Sequence, residues 1–334
     1  MRLENTLALI QGTLRNDPSI TAFDSIAFEP KRVNRGNLFI TDDPEMIPEA
    51  VANGAYGIVC DKPVEMIDPE IAWIAVDSVE NALLRLLRFR LIEKEPEVYR
   101  CDPITLKLAL QIETPSSVVV LHGPLTKIFK QLWECEKHVR ILFSPSKTSE
   151  SIFTTVHDLP KTASEAITII EQTLFETSFI YNNHFYERQL LSPFFIPYLE
   201  RLLHFFHSKK IPFRLRHFTP IPHFEAIFTN SALERKEFGA SDKVLIFEPS
   251  FELVESQIAF LKRQANWARI VYIVPESKKE FLSGEANIFT YRTKRDIIDI
   301  LKNGRFHFAL IAEQDKSLLD EAKTRREPVQ LTLF

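Results

Sequence analysis

A chain of 334 residues is longer than a single hydrophobic core usually serves, so its length predicts two or three domains of about 100–150 residues. A formal charge of −4, with 45% hydrophobic and 26% charged residues, excludes any global pull toward nucleic acid or anionic lipid, and no direct nucleic-acid partner is expected. Cys60, Cys101 and Cys135 are odd in number and widely spaced, which argues against a disulfide framework and a metal knuckle and fits a reducing, cytoplasmic setting.

The opening MRLENTLALIQGTL carries Glu4 among its apolar residues and reads as an amphipathic helix, not as a signal peptide. No stretch approaches the roughly 18–20 apolar residues of a membrane span, so no membrane partner is expected. A short strand around 26–28, NLFIT (37–41), a helix MIPEAVANG (46–54) stopped by Gly54, YGIVCD (56–61), IAWIAVD (71–77) and a helix VENALLRLLRFRLIEK (79–94) make a small α/β domain over 1–94. The charged, proline-containing EKEPEVYRCDP (93–103) reads as a boundary. Beyond it, SSVVVLHG (116–123), a helix TKIFKQLWECEKH (126–138) and VRILF (139–143) have the order of a parallel βαβ unit.

A helix is expected at 162–176, a strand at 178–183, and an apolar helix at 190–208 interrupted by Pro193 and Pro197, within a central region spanning 103–240. From 241 to 326 strands and helices alternate regularly: KVLIFEP (243–249), a helix at 252–265, ARIVYIVP (268–275), NIFTYRT (287–293), a helix at 294–304, FHFALIAE (306–313) and a helix at 316–326. That order is Rossmann-like, without a G-x-G-x-x-G. Residues 327–334 are expected to form a C-terminal tail. The fold class is therefore α/β, a small N-terminal domain followed by mostly parallel α/β units.

Gly36, Leu38 and Phe39, then Ala50, Gly54, Ala55 and Val59, stand in an order and spacing that resemble the N-terminal domain of the Mur ligases over about 70 continuous residues. The resemblance implies an ATP-dependent ligase acting on UDP-linked peptidoglycan precursors. It places Glu29, Pro30 and Lys31 where the family has Asp-Ser-Arg beside the nucleotide sugar, so Glu29 and Lys31 are the UDP-sugar candidates; the family's D-G-H loop is missing.

The family's phosphate loop, T-G-(ST)-x-G-K-(ST), corresponds here to His122-Gly123-Pro124-Leu125-Thr126-Lys127-Ile128. Gly123, Thr126 and Lys127 are the nucleotide candidates. Thr126 replaces a glycine, Ile128 replaces the hydroxyl residue that anchors Mg²⁺, and Pro124 removes an amide donor from the cradle. The loop is expected to be a relic or structural turn, with weak phosphate binding as the alternative. ATP and Mg²⁺ enter only on that alternative, and the protein is expected to be catalytically degenerate.

Only 8 glycines leave few places for a backbone to wrap a phosphate, and the 27 phenylalanines suit core packing better than base stacking. His204, His207, His217 and His223 cluster without a recognisable ligand spacing and read as core or rim residues, so no metal is expected. No G-x-S-x-G elbow surrounds Ser192, Ser231 or Ser250. No catalytic residue is assigned.

The C-terminal QLTLF (330–334) resembles the pentapeptide by which bacterial replication and repair proteins dock on the DNA sliding clamp. Gln330 would bond at a pocket rim, while Leu331, Leu333 and Phe334 would anchor in apolar pockets. An edge strand is the equal alternative, because the segment also alternates in polarity. A non-enzymatic clamp-binding protein is therefore the second functional reading. A third is a small-molecule site at the carboxyl edge of strands such as KVLIFEP and ARIVYIVP.

Overall fold

The computed structural model describes residues 1–160, 166–237, 239–282 and 284–320. They form two compact units: residues 1–106 with 114–159, and residues 107–113 with the described residues from 160 on.

The first unit begins with α1 (Leu3–Ile10), β1 (Thr13–Leu14), β2 (Ser25–Ala27), β3 (Asn37–Ile40), α2 (Ile47–Ala52), β4 (Gly57–Cys60), β5 (Ala72–Ala75) and α3 (Val79–Lys94). Next come β6 (Glu97–Arg100) and α4 (Pro103–Ala109), whose residues from 107 on belong, with β7 (Ile112–Glu113), to the second unit. The first unit closes with β8 (Val118–Val120), α5 (Leu125–Glu134), β9 (Arg140–Phe143), α6 (Lys147–Ile152) and β10 (His157–Asp158). One sheet has the order β1-β5-β4-β3-β2, parallel except for β1, and a second, parallel throughout, has the order β10-β6-β9-β8. Strands β3 and β4 are buried along their whole length, as expected of parallel strands covered on both faces, and this is why NLFI and GIVC read as unbroken apolar runs.

Helix α3 starts where Ser78 accepts the amide of Asn81 and stops at Glu95, which adopts a left-handed conformation (φ 49°). Its residues Val79, Leu83, Leu86, Leu87 and Leu91 recur at helical spacing and enter a core that also holds Leu3, Leu38, Val98, Phe129, Ile141 and Ile152. The N-terminal sheet and the βαβ unit thus share one core. The stretch 93–103, expected as a boundary, instead carries β6, which pairs with both β9 and β10.

Gly36, one of the residues carrying the family resemblance, has φ +96°, and a Cβ placed there would lie 2.2 Å from Asp24 Oδ2. Gly36→Ala is expected to cost about 1–3 kcal/mol, read as a lowered denaturation midpoint. A midpoint within error of the parent protein would show that the turn relaxes without strain.

The second unit contains β11 (Thr168–Gln172), β12 (Thr177–Tyr181), β13 (His184–Gln189), α7 (Ile196–Ser208), β14 (Arg214–Leu215), β15 (Glu225–Thr229), β16 (Lys243–Glu248), α8 (Val254–Gln264), β17 (Ile270–Pro275), β18 (Ile288–Tyr291), α9 (Lys294–Asn303) and β19 (Phe308–Ala312). Strands β11, β12 and β13 form an antiparallel meander, and β14 pairs with β7. The helix expected at 162–176 does not form over the described residues 166–176. Its described part holds β11, where β-branched Thr168, Ile169 and Ile170 favour an extended chain, while residues 161–165 lie outside the described residues. Asn182 and Asn183, with φ of 48° and 62°, supply the two left-handed residues of the tight turn between β12 and β13.

The remaining strands form a sheet of order β15-β16-β19-β17-β18, parallel except for β15. This is the expected Rossmann-like alternation, and α9 is started by a reciprocal cap between Thr293 and Asp296. Of the helix expected at 316–326, only residues up to 320 are described. No described helix is long and apolar enough to cross a membrane.

Candidate functional site

The strand, turn and helix of the expected nucleotide loop are present: β8 runs parallel to β9, and α5 starts after Pro124. Inside the turn, Gly123 is left-handed (φ +94°), and the side chain of Lys127 lies back across it, with Cδ 2.9 Å from where a glycine Cβ would stand. Lys127 Nζ reaches His122 Nε2 at 2.7 Å, while His122 Nδ1 lies 3.1 Å from the Val120 carbonyl oxygen. These contacts fit a ring that donates from Nδ1 to Val120 O and accepts a hydrogen bond from the lysine at Nε2. Gln131 closes the group, donating to Val120 O (3.3 Å) and accepting the His122 amide (3.5 Å). Ile128 is buried in the shared core, and Thr126 is exposed.

Glu29 is held beside this helix. Its carboxylate meets Arg32 Nε at 3.0 Å and Lys130 Nζ, one turn beyond Lys127, at 3.1 Å. Beneath that contact, Phe28 packs edge-on against Phe129 at 5.2 Å, and the Lys130 ammonium lies 5.9 Å from the Phe28 ring centre. Lys31 sits exposed in the 3-10 turn Pro30–Arg32. The structure therefore brings Glu29 to the loop helix and ties its carboxylate to protein cations. Gln330, Leu331, Leu333 and Phe334 lie outside the described residues.

A second constellation escaped sequence reasoning. Glu248, the last residue of β16, has no exposed surface and accepts four hydrogen bonds. Its donors are His223 Nδ1 (2.7 Å), the amides of Ser250 (2.8 Å) and Phe224 (3.1 Å), and Gln257 Nε2. His223 also lines a cavity of about 380 Å³ walled by Phe175, Phe195, Phe224 and Phe228. Two of the other clustered histidines make ordinary contacts, His207 with the Tyr181 hydroxyl and His217 with Gln189. Among the described residues no group of three His, Cys, Asp or Glu side chains is placed to hold a metal. The signal available in the sequence was the glutamate that closes the apolar strand KVLIFE.

No protein-family model and no curated protein sequence matches the chain. Solved structures do. MurF from Acinetobacter baumannii superposes with a TM-score of 0.57 at 10% identity, over 97% of this chain and 99% of that one. The chain has the Mur ligase fold. A second structure from that organism, described as UDP-N-acetylmuramoylalanyl-D-glutamyl-2,6-diaminopimelate--D-alanyl-D-alanyl ligase, gives a TM-score of 0.52 at 9% identity over 97% and 98% of the two chains. MurF ligase from Thermotoga maritima, solved in complex with ADP, gives 0.52 at 11% identity over 90% and 96%. Identities this low carry the fold and assign no residue a role. What this Mur ligase fold does rests on its own side chains.

Proposed function

We propose that this protein keeps the scaffold of the ATP-dependent ligases of UDP-linked peptidoglycan precursors and has lost their catalysis. The observation that carries the reading is the filled phosphate loop, with Lys127 folded over Gly123 onto His122. A working cradle leaves its amides and its lysine open to phosphate oxygens and sets a hydroxyl on Mg²⁺. Here Pro124 has no amide to offer, the lysine is engaged within the turn, and Ile128 is packed into the core. These residues do not fit ATP with Mg²⁺. Glu29 points the same way, since its carboxylate is already shared between Arg32 and Lys130.

The test is phosphate release from Mg·ATP in the presence of a UDP-muramoyl peptide and D-alanyl-D-alanine. The rate is expected to equal that of Lys127→Ala. Turnover that depends on both substrates and vanishes in Lys127→Ala contradicts the reading.

A second reading rests on QLTLF alone, whose match to the clamp pentapeptide has a chance expectation on the order of one in a thousand for a chain of this length. On this reading the scaffold carries a clamp-binding tail. Immobilised sliding clamp is expected to retain the full chain and to release one ending at Val329; equal retention of both sinks the idea.

A further inference from the structure

The cavity beside Glu248 has a one-sided chemistry. Its walls are aromatic, with Phe175 set 5.9 Å from both Phe224 and Phe228. Several hydroxyls on its lining are committed elsewhere: Thr177 Oγ1 donates to Leu191 O, Ser192 Oγ donates to Leu174 O, and Ser178 Oγ accepts the Arg188 amide. Three carboxylates, of Glu171, Glu176 and Glu225, line it against the single guanidinium of Arg188, which lies 3.5 Å from Glu176. Glu225 is paired with Lys316, leaving Glu171 as a carboxylate with no such cation on it among the described residues.

His223 decides the sense of the remaining polar contact. The ring is 6% exposed, and its Nδ1 is bound to a carboxylate that already takes three other donors. In the neutral ring the hydrogen therefore sits on Nδ1, and Nε2 presents a lone pair with no partner among the described residues. Nε2 is not one of the fully enclosed polar atoms that lack a partner, so it stays open to a donor from the cavity. Together with Glu171 it asks for a ligand rich in N–H groups and positive charge, while the phenylalanine walls ask for an apolar body and favour a cation over their faces.

We propose that the cavity binds a small organic ammonium, a primary amine carried on an aromatic or aliphatic body, with its nitrogen donating to His223 Nε2 and facing the Glu171 carboxylate. The cavity lies along the edge strand β15, which lends it Glu225, Ala226 and Phe228. Its ligand needs no carboxylate and no phosphate, because the carboxylates of Glu171, Glu176 and Glu225 outnumber the guanidinium of Arg188 on the lining.

Calorimetric titration of the full chain with 2-phenylethylamine tests this, with 3-phenylpropionate, of the same shape and opposite charge, as the control. Saturable binding of the amine at about millimolar or tighter is expected, with none of the acid. Glu171→Gln, on an exposed strand position, is expected to weaken the amine about tenfold, and His223→Gln by a similar factor. Binding of the acid as tight as that of the amine overturns the proposal. So does failure of the amine to bind, or an affinity unchanged in Glu171→Gln, the variant that stays informative if His223→Gln does not fold.

Discussion

Glu248→Ala is expected to destabilise the second unit by about 3–5 kcal/mol. The side chain has no exposed surface, and its two oxygens take four donors from three separate stretches: His223 and Phe224, Ser250, and Gln257. Removing it leaves an imidazole N–H, a carboxamide and two backbone amides buried without an acceptor, and each carries a desolvation penalty of its own. Glu248→Gln keeps the shape but places an NH₂ where one pair of donors points, so it should cost less, about 1–3 kcal/mol. Chemical denaturation measures both. A loss under about 1 kcal/mol for the alanine variant would mean that water replaces the carboxylate and that the cluster is not a fixed part of the fold.

Leu87→Ala is expected to cost about 2–5 kcal/mol and to weaken both sheets of the first unit together. Leu87 has no exposed surface and stands on α3, in a core that reaches from Leu3 and Leu38 to Phe129 and Ile152. Two tryptophans report on the two sides: Trp73 is buried in β5, and Trp133 stacks on Phe129 at 5.0 Å in α5. In variants with Trp267 and one of these replaced by phenylalanine, the remaining tryptophan should report the same midpoint from either side, lowered equally by Leu87→Ala. Separate midpoints for Trp73 and Trp133 would restore the division at 94 that composition alone suggests.

That division shows where sequence reading reaches its limit. Strands such as NLFI, GIVC and IVYIVP were legible because parallel strands buried on both faces leave continuous apolar runs, and α3 was legible from its leucine spacing and its Ser78 start. EVYR (97–100) was not, since its outer residues are charged and exposed, and only Val98 and Tyr99 are buried between the neighbours it gains in β9 and β10. TIIEQ (168–172) was read as helix because its strand character comes from pairing with β12 and not from any buried face.

The candidate sites divide in the same way. The substitutions in the loop, Pro124, Thr126 and Ile128, stand in the sequence itself. That Lys127 would close onto His122 and that Ile128 would join the core are facts of side-chain placement. Glu29 and Lys130 meet across 101 positions, and His223 and Glu248 across 25, so neither pair has a spacing that a motif could express.

Calorimetric titration of the full chain with Mg·ATP tests the central claim most directly. The filled loop predicts no saturable heat up to millimolar nucleotide, and a trace that superimposes on that of Lys127→Ala. Binding at micromolar affinity that disappears in Lys127→Ala would show that the lysine leaves His122 to hold phosphate, and would contradict the claim that this scaffold has given up its nucleotide.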